Sequence, residues 1–272
     1  MIYELKKAFS RPEIYLVILT GAAIAVFGLA EMASDFNFVK RADRYYSAYQ
    51  AAMVLQGNTA ELFAVFILPL AAVLPYSDSY YRERKSGVHI PGLVRRGRFG
   101  YFMGMLCAAW AAAVSVVLVT YIINQALCLI AFPAERIMDM NGGDIYTGEV
   151  AREAAANPSM LLFLNNPPLR NALHILYACY YSGGIAVFAY ALTLYMHQSR
   201  ALAVLLPVAF IYTMVLGGVL LFGPEGALPL GIVYGPNYWI SSFTPMILTI
   251  SVMYAGGTAA VLVKCFFAKD IG

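Results

Sequence analysis

The chain has 272 residues and a formal net charge of +3; 61% of its residues are hydrophobic, only 12% are charged, and the mean hydropathy is +0.69. An average soluble domain is roughly 45–50% apolar, so this composition argues against a soluble globular protein. The positive net charge is small and divided among several parts of the chain, which argues against a nucleic-acid-binding surface, so no nucleic acid is expected as a partner.

The charged residues are clustered along the chain, and six uncharged stretches separate the clusters. These stretches are 14–30, 62–77, 99–134, 171–199, 201–224 and 226–263. A helix needs roughly 20 mostly apolar residues to cross a bilayer, and hydrocarbon requires every backbone hydrogen bond to be made within the segment. The sequence therefore predicts an all-α polytopic membrane protein in which residues 1–272 form a single transmembrane domain. The predicted spans are at about 14–30, 61–76, 101–130, 173–195, 202–222 and 245–267.

The distribution of basic residues predicts the topology. If the ends 1–13 and 264–272 and the connectors 77–100 and 196–200 lie on one side, that side carries twelve Lys and Arg residues and the other carries six. Basic residues are retained in the cytoplasm, so both termini and the 77–100 connector are predicted to be cytoplasmic. The long loop 133–170 is then predicted to lie outside.

The first nine residues are too charged to begin a span. Ile2, Leu5 and Phe9 recur at helical spacing beside Lys6 and Lys7, which predicts a short amphipathic helix in the cytoplasmic membrane interface.

Proline and glycine interrupt two of the apolar segments. Pro69 and Pro75 predict a kink in the second crossing, with a hinge between two states and a static kink as open alternatives. The segment 223–244 is too apolar for an ordinary loop and too interrupted for a span, so it is predicted to be a re-entrant segment in the outer leaflet with its turn at Gly235 and Pro236. A cap needed only for stability is the alternative.

Motifs for phosphate or metal binding are missing from the sequence. A P-loop needs a Gly-Lys pair followed by Ser or Thr, and no Lys in this chain follows a Gly, so the chain is not expected to be an ATPase. His89, His174 and His197 are far apart, which argues against a metal site. The four cysteines form no C-x-x-C pair and are interpreted as small apolar residues.

Ionisable residues near the predicted crossings are also few. Glu61 and Lys264, at opposite edges, are the only ones expected there. Ion-coupled carriers commonly place an ionisable group at mid-bilayer, so this class of function is disfavoured but stays open.

The connector 77–100 holds six of the eighteen basic residues. A proline-kinked span is followed by Tyr-Ser-Asp-Ser-Tyr at 76–80, then by Glu-Arg-Lys-Ser-Gly at 83–87, then by an R-x-x-R-x-x-Y pattern at 95–101 that enters the next span. This order resembles the type-2 permeases of ATP-binding cassette exporters, particularly the small bacterial six-span class. The chain departs from the pattern at Gly97, where another basic or polar residue is common.

The resemblance implies a multi-pass permease subunit in a bacterial cytoplasmic membrane that exports an amphipathic, lipid-like or peptide substrate. It implies two permease chains, as a homodimer or heterodimer, and separate nucleotide-binding ATPase subunits that hold ATP and Mg, with membrane lipid around them and no cofactor in this chain. The connector would form a short coupling helix seated in the ATPase. The implied coupling residues are Arg82, Glu83, Arg84, Lys85, Ser86, Gly87, Val88 and His89.

The same connector also suits other interpretations. One is a basic, solvated, positive-inside linker with no docking role. At the level of the whole chain, the alternatives are a non-transporting membrane accessory or immunity protein and an ion-coupled carrier.

Overall fold

The computed structural model describes residues 2–38, 48–49, 52, 67–132, 166–195, 200–222 and 244–267. All regular secondary structure in these ranges is helical, which confirms the all-α class. Most of the long loop, 133–165, lies outside the described residues. The predicted re-entrant segment, including Gly235 and Pro236, lies outside them as well, apart from its last residue.

Eight helices follow one another in the described residues. They are α1 (Ile2–Phe9), α2 (Pro12–Phe38), α3 (Leu68–Val73), α4 (Ser79–Lys85), α5 (His89–Ala131), α6 (Pro167–Tyr195), α7 (Arg200–Phe222) and α8 (Thr244–Phe267). Four of them, α2, α5, α6 and α8, contain stretches long and apolar enough to cross a membrane. The predicted crossings 14–30, 101–130 and 173–195 lie entirely within these helices, and so does 245–267.

The second and fifth predicted crossings stay predictions. The described part of the second begins at Ile67 and contains only the six-residue helix α3. The fifth coincides with α7, which has 23 residues and an internal Pro207, and whose described apolar stretch is Val204–Thr213.

The two prolines of the second crossing lie at the ends of α3. Pro69 is in its first turn, where the missing N–H has no helical partner to lose. Pro75 lies in the turn 74–78, directly after the helix, where it prevents the helix from continuing. The predicted kink is therefore a full interruption: the chain turns at 74–78 and starts a new helix, α4, at Ser79.

A glycine breaks α5 into two parts. Gly97 has φ 68° and ψ 160°, a left-handed conformation that glycine adopts readily and that other residues resist. Residues 89–96, which we call the arm, form a short helix before the break, and 98–131 form the long helix after it. The glycine at this position thus has a local reason, because the chain changes direction there.

Helices α5 and α6 form the centre of the bundle. Helix α5 packs against α2 and α6, and α6 also contacts α8, α3 and α7. Small residues allow the α6–α8 contact to be close: a Cβ atom at Gly257 would lie 2.8 Å from Val187 Cγ1 and 3.2 Å from the Val187 carbonyl oxygen. A hydrophobic core joins α3, α5, α6, α7 and α8 along the middle of the bundle.

Helix α6 begins six residues before the predicted crossing. Its start is capped by Asn166, whose side-chain oxygen accepts the N–H of Leu169 at 3.1 Å, and Pro167 follows at the first helical position. Arg170 and His174 therefore lie inside the helix, where they are 1% and 5% exposed. They add to Glu61 and Lys264, which were predicted to be the only ionisable residues near a crossing.

Candidate functional site

Charged residues from five segments converge at one end of the bundle. These segments are α1, the start of α2, the turn 74–78, α4 and the arm; α1 and α4 both pack against α5, and α4 also contacts α6. We call residues 2–13 and 76–98 the charged end. A second hydrophobic core lies beneath it and includes Ala8, Ile14, Tyr80 and Phe102. The charged end is therefore packed onto the helices that are long and apolar enough to cross a membrane.

Asp78 connects α2 to α4. Its carboxylate is 1% exposed and accepts hydrogen bonds from Arg11 Nη1 at 3.0 Å and from Arg82 Nε at 2.8 Å. Arg82 also donates from Nη2 to Glu13 at the start of α2. The Arg11 guanidinium lies 4.3 Å from the centroid of the Tyr76 ring, a cation–π contact. One buried carboxylate thus fixes the turn between α3 and α4 against the first span.

The charge of Arg82 is stabilised by this arrangement. Partial burial lowers the pKa of the guanidinium, but the hydrogen bond to Glu13 and the carboxylate of Asp78 raise it by more, so the pKa lies above its ordinary value. Arg82 therefore stays protonated throughout the physiological pH range.

Two further buried carboxylates attach α1 to the connector. Glu83 is 7% exposed and accepts hydrogen bonds from Lys7 Nζ and from the Tyr101 hydroxyl. Glu4 is 2% exposed; it accepts a 2.6 Å hydrogen bond from Tyr76 and pairs with Arg96 of the arm. Burying a carboxylate is costly unless it is paired and hydrogen-bonded, and both conditions are met here. Helix α1 is thereby held between α4 and the arm.

Helix α4 has one buried face and one exposed face. Tyr80 and Glu83 are buried, whereas Arg84 and Lys85, which follow directly, are exposed. After α4 the exposed stretch continues through Ser86, Gly87 and Val88. Basic residues in the last turn of a helix interact favourably with its dipole, which supports this short seven-residue helix.

The predicted coupling residues are therefore divided between two environments. Arg82 and Glu83 are engaged within the chain, and five consecutive residues are exposed: Arg84, Lys85, Ser86, Gly87 and Val88. His89 is partly buried at the start of the arm. Gly87 has φ 75°, a backbone conformation that favours glycine, and a Cβ added there would meet no atom within 4 Å. The exposed stretch therefore turns at this glycine, at a point with open space around it.

The turn before α4 is also tied to the central helices. Thr193 of α6 donates a 3.1 Å hydrogen bond to the Ser77 carbonyl oxygen, and Tyr190 donates one of 3.3 Å to the Phe102 carbonyl oxygen. A displacement of α4 would consequently act on α1, α2, α5 and α6 together.

The described residues contain no group of three or more His, Cys, Asp or Glu side chains that could hold a metal ion. His89 lies at the charged end, His174 lies near the start of α6, and His197 is outside the described residues. Cys128, Cys179 and Cys265 are buried and Cys107 is partly buried, all four as free thiols.

The acidic residues Glu4, Glu13 and Asp78 were not among the predicted site residues. Each lies at or beside a helix end, and Glu4 and Asp78 are buried, as a carboxylate seldom is without a partner. The position at a helix end was the available signal, but the identity of each basic partner depends on the tertiary fold.

Comparison of the chain with protein-family models, with curated proteins and with solved structures found no match.

Proposed function

We propose that this chain is the permease subunit of an ATP-binding cassette exporter. In this proposal it moves an amphipathic, lipid-like or peptide substrate out of the cytoplasm, and a separate ATPase subunit binds Mg and hydrolyses ATP. The observation that supports it is the division of α4 into a buried face, held by ion pairs, and an exposed basic face.

The buried face distinguishes a coupling element from a solvated linker. A linker that only follows the positive-inside rule has no need to bury Asp78 and Glu83, because exposed charges keep their hydration at no cost. Buried ion pairs are instead a means of fixing one geometry, since breaking them is expensive. A force applied to the exposed face of α4 would thus reach the membrane-spanning helices without being lost in a flexible connection.

In the proposed assembly the chain crosses a bacterial cytoplasmic membrane six times and keeps both termini inside, so that the charged end faces the cytoplasm. Two permease chains and two ATPase subunits form the working unit, and closure of the ATPases drives a rigid-body motion of the permeases. The docking surface is the exposed stretch 84–88.

The test is reversal of charge on that surface. Exposed ion pairs contribute only about 0–1 kcal/mol each, so Arg84→Glu and Lys85→Glu are combined in one variant. We expect the tagged unaltered chain to co-purify with an ATP-hydrolysing subunit. The variant should insert into the membrane normally but lose that subunit.

The matched control reverses two other exposed cations of the same end, Lys6→Glu with Arg95→Glu. It should retain the ATPase. Unchanged association and unchanged ATP hydrolysis in the Arg84→Glu/Lys85→Glu variant would refute the docking site.

A further inference from the structure

Two short helices at the charged end expose apolar side chains side by side. On α1, Ile2 is 81% and Tyr3 61% exposed, and Phe9 is also exposed. On the arm, Ile90 is 59% and Val94 80% exposed. The opposite faces of both helices pack inward. Two amphipathic helices that lie flat on a bundle, with apolar side chains outward, have the composition of interfacial membrane helices.

The same two outward faces carry a cation each. Lys6 of α1 and Arg95 of the arm are exposed, and within the residues that the structure describes neither makes an ion pair. Residues 2–13 and 76–98 contain nine basic and four acidic residues, so this end of the bundle has an excess of five positive charges. The region therefore attracts anions at a position where its outward side chains are apolar.

A cavity of about 140 Å³ lies between α1 and the arm. Arg95 lies at its wall, and so does Arg96, whose guanidinium packs on the Tyr3 ring at 4.3 Å from the ring centroid. The lining combines the exposed Arg95 with apolar and aromatic side chains, among them Tyr3, Val88 and Pro91. It also includes the carboxylates of Glu4 and Glu83, which are paired with Arg96 and Lys7. An exposed cation beside apolar surface suits a ligand with an anionic group and an adjoining hydrocarbon part.

We propose that this cavity and the exposed side chains beside it, Ile2, Lys6, Ile90 and Val94, form a groove that binds an acidic phospholipid of the surrounding leaflet. The lipid phosphate lies at Arg95 with Lys6 close to the headgroup region, and the acyl chains run along Ile2, Ile90 and Val94. A soluble phosphate would leave these apolar side chains uncovered, and a zwitterionic lipid would not use the excess positive charge. In the proposed topology this leaflet is the cytoplasmic one, and the site does not depend on transport activity.

The experiment uses the purified full chain and native mass spectrometry of lipid retained from mixed micelles of phosphatidylglycerol and phosphatidylcholine. A Lys or Arg near an anionic lipid surface contributes enough that losing one should lower the phosphatidylglycerol preference about fivefold. We expect that loss for Arg95→Gln and a larger one for Lys6→Gln combined with Arg95→Gln. Arg95→Lys should keep most of the preference, because it keeps the charge.

The control is Lys85→Gln, which removes an equally exposed cation at the tip of the connector. An equal loss for this variant would refute the site, because the preference would then follow overall charge. An unchanged preference in the Lys6→Gln/Arg95→Gln variant would also refute it, as would equally strong competition by inorganic phosphate.

A shift of that variant from dimer to monomer with no change in lipid preference would assign the groove to a second copy of the chain instead. Because these measurements need neither ATPase nor substrate, their failure is independent of any failure of the permease proposal.

Discussion

Replacing Asp78 by Asn removes the central charge of the site and preserves its shape. Asp78 is 1% exposed and bonded to both Arg11 and Arg82, so the change leaves two guanidinium groups facing a neutral amide. We expect the turn 74–78 and α4 to open more often, while the membrane-spanning helices stay folded.

The expected free-energy cost follows from how exposed the two partners of Asp78, Arg11 and Arg82, are. Removing one member of a fully buried ion pair costs about 3–5 kcal/mol. The Arg11 side chain is 10% exposed and bears most of this cost, whereas that of Arg82 is 32% exposed and recovers hydration. Asn also keeps one acceptor oxygen. We therefore expect a loss of about 2–3 kcal/mol, which corresponds to roughly a 30- to 150-fold increase in the opening equilibrium.

Hydrogen–deuterium exchange of the peptide covering α4 measures this opening directly. Glu13→Gln is the matched control, because it removes a carboxylate from the same network whose side chain is 29% exposed. Its effect should be small, about 0–1 kcal/mol or at most roughly fivefold in exchange rate.

Equal acceleration by Asp78→Asn and Glu13→Gln would contradict this reasoning, since burial would then not determine the cost. An increase below about threefold for Asp78→Asn would show that α4 is held by packing alone, and the coupling argument based on its buried ion pairs would fail.

Cysteines at Ser86 and Asn141 should react oppositely with an impermeant thiol reagent applied to intact cells, with Asn141→Cys labelled and Ser86→Cys protected; the reverse pattern would invert the topology. Gly257→Ala should destabilise the purified protein by about 1–3 kcal/mol in thermal unfolding, because its methyl group would meet the Val187 side chain and backbone. The neighbouring Gly256→Ala should cause little loss, since nothing lies within 4 Å of that position, and equal effects of the two changes would show that the α6–α8 contact is not limited by space.

The amino-acid sequence by itself determines where long helices form. Charges are costly in hydrocarbon, so a long uncharged stretch predicts a helix that can cross a membrane. The stretch 101–130 lies within α5, and 173–195 lies within α6. The start of α6 was also readable, because Asn166 followed by Pro167 is a helix-start signal. It was missed because the position of Arg170 suggested a loop.

The roles of adjacent residues in the charged end depended on the tertiary structure. In the sequence, Glu83 and Arg84 belong to one charged cluster, and nothing local distinguishes them. The fold buries Glu83 against Lys7, which is 76 positions away, and leaves Arg84 exposed. Glu83 can be buried because a distant segment supplies its counter-charge, so side-chain burial in this short polar helix follows from packing and not from local periodicity.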